Sequence, residues 1–281
     1  MSFAVPELPE VETIRTALAP HLTDRVIIQV DVRESRLRRP VQKHFIKNES
    51  CGRKVCNVRR RGKFLVIELE DLRAIVLHLG MTGSLRMEPN NFTPRKHDHV
   101  VWALDDGQAM VFNDARRFGV ADLQILPCPG GDPPSLAPMG PEPLGEMFTA
   151  AYAFASSKNR TQPVKNLLLD QHFVAGIGNI YASEALWRTG ISPRRKARNI
   201  GYAKWERLVT QIKAVLKHAI AAGGTTIRDY RTVDGTEGQF TACLDVYDRE
   251  AMPCKRCGDS QRIRRIVMAG RSTYYCPGCQ R

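Results

Sequence analysis

Apolar positions along the chain change period twice. Between 9 and 18, Val11, Ile14 and Leu18 recur at three- and four-residue intervals, which predicts an amphipathic helix. Glu10 and Glu12 fall in its first turn, where carboxylates suit the positive end of the helix dipole. From Val26 to about Leu126 the pattern becomes short runs rich in β-branched and aromatic residues: FLVIELE, AIVLHLG, SLRME, HVVWALDD and AMVFND. Gly, Asn and Asp punctuate them, which predicts strands folded as a β-sandwich or barrel.

The run PCPGGDPPSLAPMGPEP at 127–143 sustains neither period and reads as a linker. Helical spacing resumes over 146–156, 164–169, 180–189 and 202–221. GGTTIRDYRTVDGTEGQF reads as a loop, and a cysteine-rich tail closes the chain. The expected class is α+β: an N-terminal β-sandwich with a leading helix over 6–126, the linker, a helical domain over 144–235, and a metal module over 247–281.

Composition narrows the partners. Among 281 residues, 42 Lys and Arg stand against 29 Asp and Glu, a formal charge of +13 that favours polyanions. No apolar run approaches the ~20 residues of a membrane span, and MSFAVPELPEVE lacks the basic and apolar regions of a signal peptide. The expectation is a cytoplasmic protein, where thiols stay reduced.

Of eight cysteines, Cys51, Cys56, Cys128 and Cys243 are scattered. Cys254, Cys257, Cys276 and Cys279 form C-x2-C-x18-C-x2-C, a spacing that wraps one tetrahedral Zn²⁺ with four thiolates and leaves no position for a water. One structural zinc is expected. The same tail carries Lys255, Arg256, Arg262, Arg264, Arg265, Arg271 and Arg281 against Asp259 alone, the balance of a DNA-contacting hairpin.

PELPEVET at 6–13, RRRGKFL at 59–65, NDARRFG at 113–119, GIGNIYASEALWRTGISP at 176–193, VYDRE at 246–250 and the four-cysteine tail occur in one order. Together they resemble the formamidopyrimidine-DNA glycosylases (Fpg or MutM type) over essentially the whole chain. The related endonuclease VIII branch usually opens PEGPE instead.

The resemblance implies a β-sandwich, a helix–two-turn–helix domain and a zinc finger. It also implies a bifunctional glycosylase and AP lyase of base excision repair, acting as a monomer on double-stranded DNA with oxidised purines or abasic sites.

By the same resemblance Pro6 supplies an α-amine nucleophile and Glu7 the general acid–base function. Lys63 and Arg271 contact phosphates beside the reacting sugar, and both are carried over as catalytic. Asn179, Lys165 and His97 are DNA contacts. Met81, Arg116 and Phe118 fill the gap left by an extruded base. The segment 223–230 corresponds to the lesion-covering loop.

Read without the family, Pro6 and Glu7 also suit a helix start, and Met81 and Phe118 would pass as core residues. His97 and His99, two apart on a predicted strand, read as one face of a sheet, and they and His78 as structural.

Two departures stand out. Met1–Val5 precede Pro6, and an amide nitrogen there has no basicity. A start at Val5, whose codon can be the initiator GTG, followed by removal of that residue, would expose the amine. The alternatives are a non-catalytic damaged-DNA binder, or an endonuclease VIII-like enzyme acting on oxidised pyrimidines. The inner cysteines are also spaced about two residues wider than the family usually has, which bears on the reach of Arg271.

Overall fold

The computed structural model describes residues 5–224 and 243–281. The chain divides into two compact units, meeting in sequence at Pro138 and Met139.

The first unit opens with α1 (Leu8–Leu22), whose Val11, Ile14 and Leu18 are buried as their spacing requires. It continues through β1 (Ile27–Val32), α2 (Lys43–Ser50), β2 (Val55–Arg61), β3 (Phe64–Leu69), β4 (Arg73–His78), β5 (Gly83–Pro89), β6 (Asp98–Leu104), β7 (Gln108–Asp114) and β8 (Val120–Ile125). Helix α2 was not expected; its few apolar positions gave no usable period.

Two antiparallel four-stranded sheets result, ordered β1-β6-β7-β5 and β2-β3-β4-β8. Val30, Val100, Trp102 and Phe112 of one sheet share a single core with Val58, Leu65, Ile67 and Leu77 of the other, so the unit is a sandwich. Each such side chain removed from water contributes roughly 1.5–3 kcal/mol.

Val66 and Val76 alternate out of that core and are still buried. On the Val66 side of the sheet, Arg59 and Arg61 both reach Asp132, and Gln124 bonds Ser135. The Pro-rich run holds no helix or strand, as its composition predicts, but its first part is pinned across this face.

In the second unit, α3 (Ala150–Ser157), α4 (Val164–Leu169), α5 (Asn179–Thr189) and α6 (Tyr202–Ala221) pack around Phe148, Phe173 and Trp205. Helix α3 starts four residues later than the periodicity suggests, because Thr149 caps it by accepting from the backbone N–H of Tyr152. Gly190, at φ 69°, ends α5 in the left-handed conformation a C-cap uses.

The tail forms β9 (Pro253–Cys254) against β10 (Gly258–Arg262), then the hairpin of β11 (Arg264–Met268) and β12 (Arg271–Tyr275). Ala269 and Gly270, at φ 46° and 71°, make the two-residue turn of that hairpin. Among the described residues no helix is long and apolar enough to cross a membrane.

Candidate functional site

In the first unit, Pro6 and Glu7 lie at the start of α1. Glu7 is its N-cap, and its backbone N–H donates to the Glu10 carboxylate at 2.9 Å, closing a capping box. Pro6, Glu7 and Glu10 are all buried. The two readings of Pro6–Glu7 therefore coincide in space: the helix start fixes the backbone on which both side chains sit.

Lys63 lies in the two-residue turn joining β2 to β3. Gly62 precedes it at φ 57°, the left-handed position such a turn asks of its first residue. The adjoining basic run is not an open patch. Arg59 bonds Glu68 at 2.6 Å, Arg60 bonds Glu12 at 2.9 Å, and Arg61 bonds Asp132 at 2.7 Å.

Met81 sits in the β4–β5 loop, Arg116 and Phe118 in the β7–β8 loop. Gly80, at φ 64°, is where the two loops touch: a Cβ there would meet the Phe118 carbonyl carbon at 2.5 Å. Only glycine permits that approach. Arg116 lies over the Phe118 ring at 4.8 Å, and Phe118 is 44% exposed.

Asp114 organises this pair of loops and was missed as a residue in its own right. Its buried carboxylate accepts from Thr82 Oγ1 at 2.6 Å, from Arg116 N–H at 3.2 Å and from Gly119 N–H at 2.7 Å. The signal available was weak: an acid ending an apolar strand before two arginines.

The placement of His97 differs from expectation. His97 is not on a strand; it occupies a turn ahead of β6 at φ 71°, so it shares no strand face with His99. His99 is buried, with Nε2 2.6 Å from the Asp114 carbonyl oxygen. His78 Nδ1 accepts the Gly80 N–H at 2.9 Å. Burial, then the nearby charges of Lys63 and Arg38, push its pKa down to about 4, so it is neutral at neutral pH. Around His97 an open depression of about 290 Å³ is lined by Arg33, Arg95, Lys96 and Arg117 together with Glu34 and Asp98, and Arg117 is paired with Glu34 at 3.3 Å.

In the second unit, Asn179 is the first residue of α5, behind the N-cap Gly178. Gly176, at φ 80°, is held by the Gln171 side chain, which accepts its N–H at 2.8 Å and donates to Leu169 and Ile177 carbonyls. Lys165, expected as a DNA contact, has no exposed surface; its ammonium is 2.6 Å from Asn179 Oδ1 and 2.6 Å from Thr273 Oγ1. Asn179 Nδ2 in turn donates to the Ser272 carbonyl at 2.8 Å. Arg271 begins β12, is exposed, and makes no ion pair among the described residues.

Glu184 was likewise not foreseen. Its buried carboxylate accepts the backbone N–H groups of Asp245, Val246 and Tyr247 at 2.8–2.9 Å, fastening the segment that leads into the tail. Burial pushes this carboxyl above its ordinary range, and the three N–H groups pull against that.

The four tail cysteines place their sulfurs within 4.8 Å of one another, with Cys254–Cys279 at 3.9 Å and Cys257–Cys276 at 3.8 Å. These separations are far too long for disulfides. They match the edge of a tetrahedron with ~2.3 Å metal–sulfur bonds, about 3.8 Å. Gln280 holds the module to the helical body, bonding Cys276 N–H at 2.8 Å and the Ile191 carbonyl at 2.9 Å. Most of the segment expected to cover the lesion, residues 225–230, lies outside the described residues.

Comparison with known proteins agrees along the length of the chain. The formamidopyrimidine-DNA glycosylase N-terminal domain matches residues 5–121, the H2TH domain of the same enzymes residues 139–231, and the zinc finger found in FPG and IleRS residues 253–281. The formamidopyrimidine-DNA glycosylase of Paracoccus denitrificans is 46% identical, covering 98% of this chain and 100% of the relative. That of Acidithiobacillus ferrooxidans is 45% identical over 99% and 100%.

Among solved structures, MutM (Fpg) from Thermus thermophilus is similar at a TM-score of 0.86 and 40% identity, covering 98% of both chains. Lactococcus lactis Fpg in complex with DNA containing an abasic site is similar at 0.86 and 31%, covering 98% of this chain and 100% of that one. With its sandwich, helical unit and four-cysteine tail matched in order, this chain belongs to the formamidopyrimidine-DNA glycosylase family.

Proposed function

We propose that the protein is a bifunctional DNA glycosylase and AP lyase of base excision repair that removes oxidised purines, 8-oxoguanine and formamidopyrimidines, from double-stranded DNA. The observation that carries this reading is Pro6 beside Glu7 at the capped start of α1, within a chain of the glycosylase family throughout.

The Pro6 nitrogen, as a free secondary amine, attacks C1′ of the extruded deoxyribose. The N-glycosidic bond breaks, and the base leaves with a proton supplied through Glu7. The nitrogen sheds its proton and the C1′–O4′ bond opens, O4′ taking up a proton, which leaves a ring-opened iminium. Loss of a C2′ proton from it expels the 3′ phosphate, and a second elimination expels the 5′ phosphate. An α-amine with pKa near ~8 keeps a useful unprotonated fraction at neutral pH. This chemistry requires Pro6 to be the first residue of the acting protein.

Lys63 and Arg271 neutralise phosphates flanking the sugar, and Asn179 and His97 contribute further backbone contacts. Met81, Arg116 and Phe118 occupy the space of the extruded nucleotide: an apolar filler, a donor fork for the orphaned base, and a wedge between steps. The apposition of their loops at Gly80 supports that joint role.

Cys254, Cys257, Cys276 and Cys279 would hold one Zn²⁺, with every position taken by protein and hence a structural task. The protein acts as a monomer in the bacterial cytoplasm, on the chromosome.

The test is borohydride trapping on 8-oxoguanine duplex, with the N-terminus defined by intact mass. Protein beginning at Pro6 forms a covalent adduct, and protein retaining residues 1–5 does not. Absence of any adduct from the Pro6-first form would overturn the mechanism. Faster excision of thymine glycol than of 8-oxoguanine would favour the endonuclease VIII-like specificity.

A further inference from the structure

A lysine with no exposed surface is costly unless its ammonium is met by acceptors. Lys165, on the first turn of α4, reaches three: Asn179 Oδ1 and Thr273 Oγ1, both at 2.6 Å, and the Ser272 carbonyl at 3.4 Å. Two belong to β12 and one to the first residue of α5. Lys165 and Thr273 are 108 positions apart in sequence, and both are completely buried.

The bonds are directional. Because an ammonium only donates, it fixes Asn179 with its oxygen toward Lys165, and the amide NH₂ is thereby turned to the Ser272 carbonyl at 2.8 Å. One charged group thus sets the side-chain orientation of Asn179 and the seating of β12 on the helical body. Thr273 pairs with Ile266 in the hairpin, and Arg271, two residues away, pairs with Met268 at the last rung before the turn. Residues two apart leave a strand on one face. Seating Thr273 therefore sets the point from which Arg271 departs toward solvent.

We propose that Lys165 and Thr273 form a buried clamp that positions Arg271 and Asn179 for DNA, and that Lys165 acts through them as a positioning residue without touching DNA itself. The proposal rests on the glycosylase reading above, which it deepens by assigning how the hairpin is aimed. Phosphate is read by a guanidinium whose fork must arrive at a set angle, so the clamp governs affinity and lesion processing without adding a charge to the interface.

The experiment compares Lys165→Met, Thr273→Val, Arg271→Ala and the double variant Lys165→Met/Arg271→Ala. Binding to a duplex with a tetrahydrofuran abasic analogue is measured across a salt series, with zinc content and thermal unfolding recorded for each. Lys165→Met and Arg271→Ala are each expected to weaken binding by about tenfold or more. The double variant is expected to lose less than the product of the two single losses, because only the part acting through Asn179 remains, and to keep the salt slope of Arg271→Ala. Thr273→Val keeps the shape and the lysine, and is expected to weaken binding less, again with less than the full product when joined to Arg271→Ala.

Multiplicative losses in the double variant, with a salt slope falling by a further unit or so, would show Lys165 on a phosphate and overturn the clamp. Should Lys165→Met lose zinc or fail to fold, Thr273→Val is combined with Arg271→Ala, and that double variant decides by the same criterion. Unchanged binding by both single clamp variants also overturns the proposal. A wild-type protein that binds this duplex but excises no lesion would defeat the glycosylase reading while leaving the clamp comparison intact.

Discussion

Arg86 on β5 grips Asp98 at the start of β6 with two parallel bonds, Nη1 to Oδ1 at 2.8 Å and Nη2 to Oδ2 at 2.6 Å. The Asp98 side chain is wholly buried, and it also accepts from Asn113 Nδ2 at 2.8 Å and the Arg95 N–H at 2.7 Å. The pair joins two strands that are not neighbours in the sheet and fixes the turn that carries His97.

Asp98→Ala is expected to cost about 1–3 kcal/mol in urea unfolding, because it strips the Arg95 N–H and Asn113 Nδ2 of an acceptor and leaves Arg86 with Glu88 alone. Burial works against the Asp98 carboxylate, but Arg86, Asn113 and the Arg95 N–H together hold its pKa below the usual value. A depressed carboxyl stabilises the fold above its unfolded pKa near ~4, and that stability is lost as pH falls toward the lower folded value. Wild type should therefore lose more stability than the Ala variant when unfolding is followed from pH 5 to pH 3.

His78 titrates in the opposite sense. Its folded pKa of about 4 lies below the ordinary histidine value, so between roughly 6.5 and 4 the unfolded chain takes up a proton that the folded chain refuses. Stability falls as pH drops through that window. His78→Gln should remove this component, and NMR of the imidazole should show no protonation at pH 6. A midpoint near 6.5 would refute it.

Removing metal should unfold the tail and spare the sandwich. One zinc per chain is expected by elemental analysis, and a strong chelator should release it with loss of duplex binding. Cys276→Ser, which takes one buried sulfur from the cluster, should do the same at stoichiometric zinc. Full binding by a zinc-free protein would contradict the assignment.

Phe118 is exposed enough for its removal to leave folding nearly untouched. Phe118→Ala should shift thermal stability by less than about 0.5 kcal/mol. Excision of 8-oxoguanine should nevertheless slow by roughly 10-fold or more, since unstacking a base step without a wedge costs a few kcal/mol. An unchanged kcat/KM would return Phe118 to an ordinary surface role.

The roster of elements was legible because local period encodes it. The boundaries expected for α4 and α6 hold to the residue, and the strand runs of the sandwich fall where β-branched residues alternate with turn formers. Helix α2, with Ile46 and Ser50 alone buried, lacked the stripe that announces a helix. The four-cysteine cluster was legible for a related reason: two knuckles close over a few residues each, so spacing alone brings each pair of sulfurs together.

Long-range pairing was not legible. Nothing near Arg61 in the chain indicates that Asp132, 71 positions on, neutralises it, or that Arg59 and Arg60 are bound to Glu68 and Glu12. The basic run beside Lys63 is largely a set of internal ion pairs. Asp114 and Glu184 were passed over because a buried carboxylate is specified by the N–H groups that converge on it. Those come from loops whose approach only folding decides.

The sequence by itself determined the order of units, the four clustered cysteines and the Pro6–Glu7 pair, since each is written in neighbouring residues or in a short repeat. The tertiary structure alone decided which cations face solvent and which are consumed inside, Lys165 being buried and Arg271 left exposed. The physical reason is that a charge's role depends on its desolvation and its partners, and both are set by segments that meet only when the chain has closed its core.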